Sequence, residues 1–238
     1  ILIYSIYLTF FFFFLRIFAI IELLSFSPAH ALEYIHNDGT PISVSIPKSL
    51  SLATQSTIKS EIQQMFPQKT TSKILEINQL DIDSLNLDEM LDTFNWEHTI
   101  NIKKLYSDSS ITSVLITTYE YTGGAHGSMS RIGLVMDTKT GKKLSLADFY
   151  DADKLTKKLS PIWDKQIAIR LKNTMRENLT ADEKSWIHDG TTDIQQYQSF
   201  TITPRVLTIY GQQYQHNAYA YGMQTLIYPR FRLIDTAR

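Results

Sequence analysis

Residues Tyr119 to Gly127 read Y-E-Y-T-G-G-A-H-G and close the run Ile111 to Thr122, which is rich in β-branched and aromatic side chains. That run has the composition of a strand. Two adjacent glycines beside a strand are costly, because glycine loses the most backbone freedom on folding and offers no side chain to pack. Either the backbone takes positive φ there or another surface approaches it closely. The downstream chain reads as the continuation of a sheet that this run begins.

On the N-terminal side, Trp96 to Leu105 alternates charge with Ile100 and Ile102, and Ser107-Asp108-Ser109-Ser110 supplies a turn, which predicts a hairpin into Ile111 to Tyr121. Earlier still, Ile42, Val44 and Ile46 between Pro41 and Pro47 predict a half-buried edge strand. Ile58, Ile62, Met65 and Phe66 predict one amphipathic helix over Thr54 to Phe66, ended by Pro67, and Leu87 to Phe94 suits a short helix. The acidic residues Asp81, Asp83, Asp88 and Glu89 lack the glycine and the third oxygen ligand of an EF-hand loop, so they read as a solvated loop.

On the C-terminal side, Arg131 to Asp137 predicts a third strand, turned by Thr138-Lys139-Thr140-Gly141 into Lys142 to Leu146. From Asp151 the apolar positions Leu155, Leu159, Ile162, Trp163, Ile167, Leu171 and Met175 keep a helical period, so one long helix covers the sheet. Pro161 kinks it or starts a second helix capped by Ser160. Thr180-Ala181-Asp182-Glu183 is a capping box for a short helix that stops at Gly190. Phe200 to Thr203 and Arg205 to Tyr210 read as a hairpin, and Met223 to Ile234 as a closing strand broken at Pro229. The order of elements predicts an α+β fold: an antiparallel sheet covered by one long helix, with a smaller N-terminal α/β lead-in.

Composition narrows the function. The 238 residues carry a formal net charge of −1 with no block of one sign, so nucleic acid is disfavoured as a partner. Cysteine is absent, which excludes disulfides, thiolate metal sites and cysteine nucleophiles. No cofactor fingerprint is present.

Ile1 to Ile21 is almost wholly apolar, and Ser27-Pro28-Ala29-His30-Ala31 ends in an A-x-A pattern, so residues 1–31 read as a signal peptide cleaved after Ala31. Residues 1–14 carry no positive charge and read as mis-called sequence upstream of a start at Leu15, which leaves Arg16 as the positive segment. The expected location is periplasmic or extracytoplasmic, with membrane attachment only if this segment is uncleaved.

The glycine motif, the hairpin Asp137-x-x-x-Gly141-x-x-Leu144-x-Leu146-x-Asp148 and the tail Tyr214-x-x-x-Ala218-Tyr219-Ala220-Tyr221-Gly222 together resemble a known family. This is the bacterial envelope domain of unknown function at the C-terminus of the lysozyme-sensing anti-sigma factor RsiV, found also near the deacetylase PdaC. The resemblance covers Trp96 to Leu233, so residues 96–238 are expected to form the RsiV-like domain and residues 32–95 a smaller subdomain. Ala218 stands where the family often carries proline. The resemblance implies an exported envelope protein that binds a lysozyme-like protein or a peptidoglycan fragment. It implies neither deacetylase chemistry, which belongs to a separate domain of PdaC, nor the anti-sigma role.

The candidate ligand-binding residues are Gly123, Gly124, His126, Tyr214, Tyr219, Tyr221 and Gly222. His126 could meet a ligand, act as a base, or hold the glycine loop through its ring nitrogens. Metal-ligand spacing is missing around it, and His98, His188 and His216 form no motif with it. Tyr210, Tyr214, Tyr219 and Tyr221 suit recognition if exposed and sheet packing if buried. No G-x-S-x-G turn accompanies Ser128, and Asp148 with Asp151 is explained by helix capping. No catalytic residue is therefore assigned. The competing expectation is an envelope enzyme acting on peptidoglycan or its acyl groups, with His126 as base.

Overall fold

A strand buried on both faces organises the molecule. In the computed structural model, residues 30–35, 41–65, 97–121 and 125–237 are described, and those from residue 31 onward form one compact unit. Strands β1 (His30–Ile35) and β2 (Pro41–Ile46) pair in a two-stranded sheet, followed by helix α1 (Leu52–Met65). A four-stranded antiparallel sheet comprises β3 (Glu97–Ser107), β4 (Ile111–Tyr121), β5 (Ser128–Asp137) and β6 (Lys143–Leu144) in that order. Helices α2 (Ala152–Met175) and α3 (Ala181–Asp189) lead to a three-stranded antiparallel sheet of β7 (Phe200–Ile202), β8 (Val206–Tyr210) and β9 (Thr225–Pro229).

Alternation along β5 divides the core in two. Leu134 and Met136 point to one side, where they meet Ile58 and Ile62 of α1, Val44 and Ile46 of β2, and Val114 and Ile116 of β4. Val135 points to the other, into a cluster with Leu155, Leu159, Trp163, Ile167 and Leu171 of α2 and with the apolar residues of β7 to β9. Each of those buried side chains is worth roughly 1.5–3 kcal/mol over exposure, enough to fix both helices.

The downstream strands are thus not a continuation of the first sheet; they form a second one, and the long helix covers that second sheet. The two sheets meet where β7 crosses β5. A Cβ on Gly133 would lie 2.6 Å from the Phe200 carbonyl, so only glycine lets the two backbones approach. Side-chain hydroxyls fasten the crossing. Ser199 Oγ accepts from the Gly133 N–H and donates to Arg131 O, while Ser113 Oγ accepts from the Ile202 N–H and donates to Ile202 O.

Helix α1 is seated on the turn after β5. Thr57 Oγ1 donates to Gly141 O at 2.7 Å, Ser51 Oγ donates to Thr138 O, and Gly141 takes φ 71° with Ala53 O too close for any Cβ. Helix α2 is capped by Asp151, whose side chain accepts from the Lys154 N–H, and runs through Pro161 as one element. Ser160 is no cap; its buried hydroxyl lies 3.0 Å from Thr191 Oγ1. Pro161 costs the helix a hydrogen bond, about 3 kcal/mol, but Leu159 and Trp163 on either side are fully buried and outweigh it.

The capping box at Thr180 forms, with Thr180 Oγ1 accepting from the Glu183 N–H and Glu183 accepting from the Thr180 N–H. The closing strand is shorter than Met223 to Ile234. It ends at Pro229, which has no N–H to offer the ladder, and Arg230–Thr236 coils into a 3₁₀ turn that buries Leu233. Among the described residues no helix is long and apolar enough to cross a membrane; the apolar stretch 1–29 and the acidic and helical expectations over 73–94 lie outside them.

Candidate functional site

The end of β4, the start of β5 and the loop between β8 and β9 converge at one end of the molecule. Gly127 is buried because the Tyr119 ring lies over it, with Cε2 and Cζ 2.5 Å from any Cβ placed there. Close approach is therefore what this glycine serves. Its carbonyl is shared: Tyr219 Oη donates to it at 2.5 Å, and His126 Nδ1 lies 3.1 Å away on the donating side of a second bond. That contact favours the Nδ1–H tautomer and leaves Nε2 as an acceptor. The His126 ring stacks on Tyr219 with centroids 3.7 Å apart and planes 16° from parallel, and Tyr214 stands 6.0 Å beyond.

Tyr214 is held in an unusual way. Its φ is 62°, in the left-handed region that a bulky residue rarely adopts, and the residue is 54% exposed. Trp186 of α3, itself 39% exposed, donates its Nε1–H to Tyr214 O at 3.0 Å. Gln215 then anchors the next residue, donating to Gly190 O and Gln196 O and accepting from the Gln212 N–H.

The candidate residues separate as follows. His126, Tyr214 and Tyr219 come together from positions far apart in sequence. Tyr221 packs half-buried against the core around α2. Gly222 takes φ 68° at the end of the 3₁₀ turn Tyr219–Tyr221, and its carbonyl accepts from Gln224 Nε2 at 3.0 Å, so its part is to turn the chain. Tyr210 is buried, with its hydroxyl 3.1 Å from Thr201 Oγ1. Gly123 and Gly124 lie outside the described residues. Trp186 and the glutamines gave no signal in sequence, because each joins the site only through long-range packing.

A cleft of about 260 Å³ lies between the two sheets. Gln195, Gln196, Gln198, Gln212 and Gln215 line one half of it, and Ile132, Leu134, Lys143, Ser199 and Tyr210 the other. Gln212 Nε2 donates to Arg131 O at 2.7 Å and so ties the loop to β5.

Under the same loop, His216 is fully buried against Trp163, ring centroids 4.5 Å apart, and neither ring nitrogen has a partner of hydrogen-bonding geometry. Burial pushes its pKa down to about 4, so the ring is neutral at neutral pH.

A histidine–carboxylate pair exists, but not at His126. His188 Nδ1 lies 2.8 Å from Asp164 Oδ2, and the Thr191 hydroxyl donates to Asp164 Oδ1. This pair joins α3 to α2, and the hydroxyl nearest it is already donated to the carboxylate. Among the described residues no three His, Asp or Glu side chains gather as a metal would need.

Residues 35–129 match the family model described as deacetylase PdaC, and residues 147–230 match that of a protein family of unknown function, DUF3298. The first match runs through the glycine motif, and the second takes in α2, α3 and all of the second sheet. A DUF3298-family protein from Bacteroides fragilis has a similar structure at 17% identity and a TM-score of 0.54, covering 87% of this chain and 92% of that one. One from Pseudomonas aeruginosa aligns at 18% identity and a TM-score of 0.49, covering 89% and 94%. No curated protein matches in sequence. The chain is thus similar in sequence to a domain-of-unknown-function family related to PdaC, and the first of those structures shares its α+β fold.

Proposed function

We propose that this chain, a PdaC-type segment followed by a DUF3298-type domain, is an exported recognition module of the bacterial envelope and not an enzyme. Its ligand face is the aromatic group of His126, Tyr219 and Tyr214 with Trp186 beside it. The observation that supports this reading best is Tyr214: a large, half-exposed ring held on a backbone conformation that disfavours it suits contact with another molecule. The ligand is a lysozyme-like protein or a peptidoglycan fragment, the classes that the family resemblance implies.

The enzyme reading with His126 as base has less support. A base needs an orienting acid and a nucleophile or water held within reach. Instead, His126 faces the Gly127 carbonyl through Nδ1 and a tyrosine through its ring.

Calorimetric titration of the purified protein with a panel of lysozymes and soluble peptidoglycan fragments tests the proposal. Saturable binding that weakens in a folded His126→Ala variant, with the fragments unchanged by mass spectrometry, supports recognition. Chemically modified fragments overturn it in favour of catalysis. Export is tested by N-terminal sequencing of the mature protein, which is expected to begin at Leu32.

A further inference from the structure

We infer that the cleft between α2 and α3 binds a small amphipathic anion, its charged head held by Lys165 and Lys184 and a short aliphatic tail lying on Pro161, Ala168 and Ile187. None of these residues belongs to the aromatic group, and the inference stands whether or not that group is a recognition face.

Spacing along the two helices builds the cleft. Pro161, Asp164, Lys165 and Ala168 of α2 fall at i, i+3, i+4 and i+7, and Lys184, Ile187 and His188 of α3 fall at i, i+3 and i+4, so each set shares one helix face. The two faces border a space of about 480 Å³, within the roughly 300–1,000 Å³ of small-molecule sites. Ile187 is buried and Ala168 packs half-buried against the core, which makes the floor apolar and fixed. Lys165 and Lys184 are exposed, and lysine stems extend such a surface while the ammonium group stays in water.

Charge decides the head group. Among the described residues neither lysine forms an ion pair. The carboxylate of the cleft, Asp164, is already engaged: Oδ2 faces His188 Nδ1 at 2.8 Å, and Oδ1 accepts from the Thr191 hydroxyl. Two lysines against one aspartate leave an excess of positive charge even when His188 is neutral. A cationic ligand would meet two ammonium groups and no free carboxylate, whereas an anion answers both.

The probe is sodium octanoate, titrated by calorimetry into the purified protein, with octylammonium as the same tail bearing the opposite charge. Octanoate is expected to bind at a single site at least tenfold tighter than octylammonium. From butanoate to octanoate the affinity should rise about threefold for each methylene laid on the floor. Lys165→Gln with Lys184→Gln keeps helix propensity and most of each stem while removing the charge. That double variant is expected to keep its melting temperature and to lose the preference for octanoate over octylammonium. Octyl phosphate, titrated in parallel, shows which head the lysines prefer, and saturable binding of either anion at one site sustains the inference. Absence of saturable binding by both anions, equal affinity for octanoate and octylammonium, an affinity that does not rise along the series, or octanoate binding unchanged in the double variant overturns it.

Discussion

His216 sets an acid limit on the fold that can be measured directly. The ring is enclosed by Trp163 and by Gly190 and Gly211, where a Cβ would strike its Cδ2 at 2.8 Å and its Cε1 at 2.5 Å. Burial lowers its pKa from 6.5 to about 4, opposed more weakly by the Gly190 backbone and the Asp164 carboxylate. Between those values the unfolded chain holds a proton that the folded chain excludes. Stability is therefore full above pH 6.5 and falls as the pH drops toward 4. At about 1.4 kcal/mol for each pH unit inside the window, moving from pH 7 to pH 5 removes about 2 kcal/mol through this one ring.

Urea denaturation followed by tryptophan fluorescence at both pH values, on the wild type and on His216→Leu, isolates the effect. Leucine fills a similar volume without titrating, so the variant is expected to lose about 2 kcal/mol less between pH 7 and pH 5. Asp108, Asp137 and Asp235 are held below the usual 3.8, the first two by neighbouring backbone N–H groups and the third by Lys158. They are common to both proteins and cancel. Equal losses in wild type and variant would refute the buried, neutral imidazole.

Other perturbations test the architecture. Gly133→Ala drives a Cβ into the Phe200 backbone, which cannot yield as a side-chain tip could, so thermal denaturation should show a loss of at least about 2 kcal/mol. Thr180→Ala removes the hydroxyl that accepts from the Glu183 N–H, costing about 1 kcal/mol, and hydrogen exchange should show faster opening of the first turn of α3. Ala218 is exposed with φ −64°, the angle that proline imposes. Ala218→Pro is therefore expected to keep or raise stability by about 0.5 kcal/mol, and a lower melting temperature would place Asn217 in a conformation that proline forbids.

What the sequence discloses here is what is local. The period of Leu155, Leu159, Trp163, Ile167 and Leu171, the Asp151 cap and the Thr180 box each act within a few residues, so they could be read without the fold. The pairing of His126 with Tyr219 was legible only as two suspicious loops. Their contact depends on the β4–β5 hairpin and the β8–β9 loop ending at the same place. The division into two sheets was not legible, because alternation reports which face a residue takes and not which sheet its strand joins. Gly133 shows the same limit: within β5 it looks like a weak strand residue, and only the crossing of β7 explains it. Pro161 left a kink and a second helix both open, and the helix runs through it as one element because Leu159 and Trp163 on either side are buried.

The fastening of one sheet to the other also governs how the molecule can form. Ser113 reaches Ile202 across 89 positions of chain, and Ser199 reaches Gly133 across 66. Loop-closure entropy must be met before such distant contacts give any return, whereas the β3–β4 hairpin closes over a short turn. Folding should then be paced by the meeting of the sheets, on the millisecond-to-second scale of chains dominated by non-local pairing. His126 and Tyr219 belong to opposite sides of that late event. A chain arrested before it would hold finished hairpins and helices and yet lack the stacked His126–Tyr219 pair, so the proposed binding face would form only at the rate of the slowest closure.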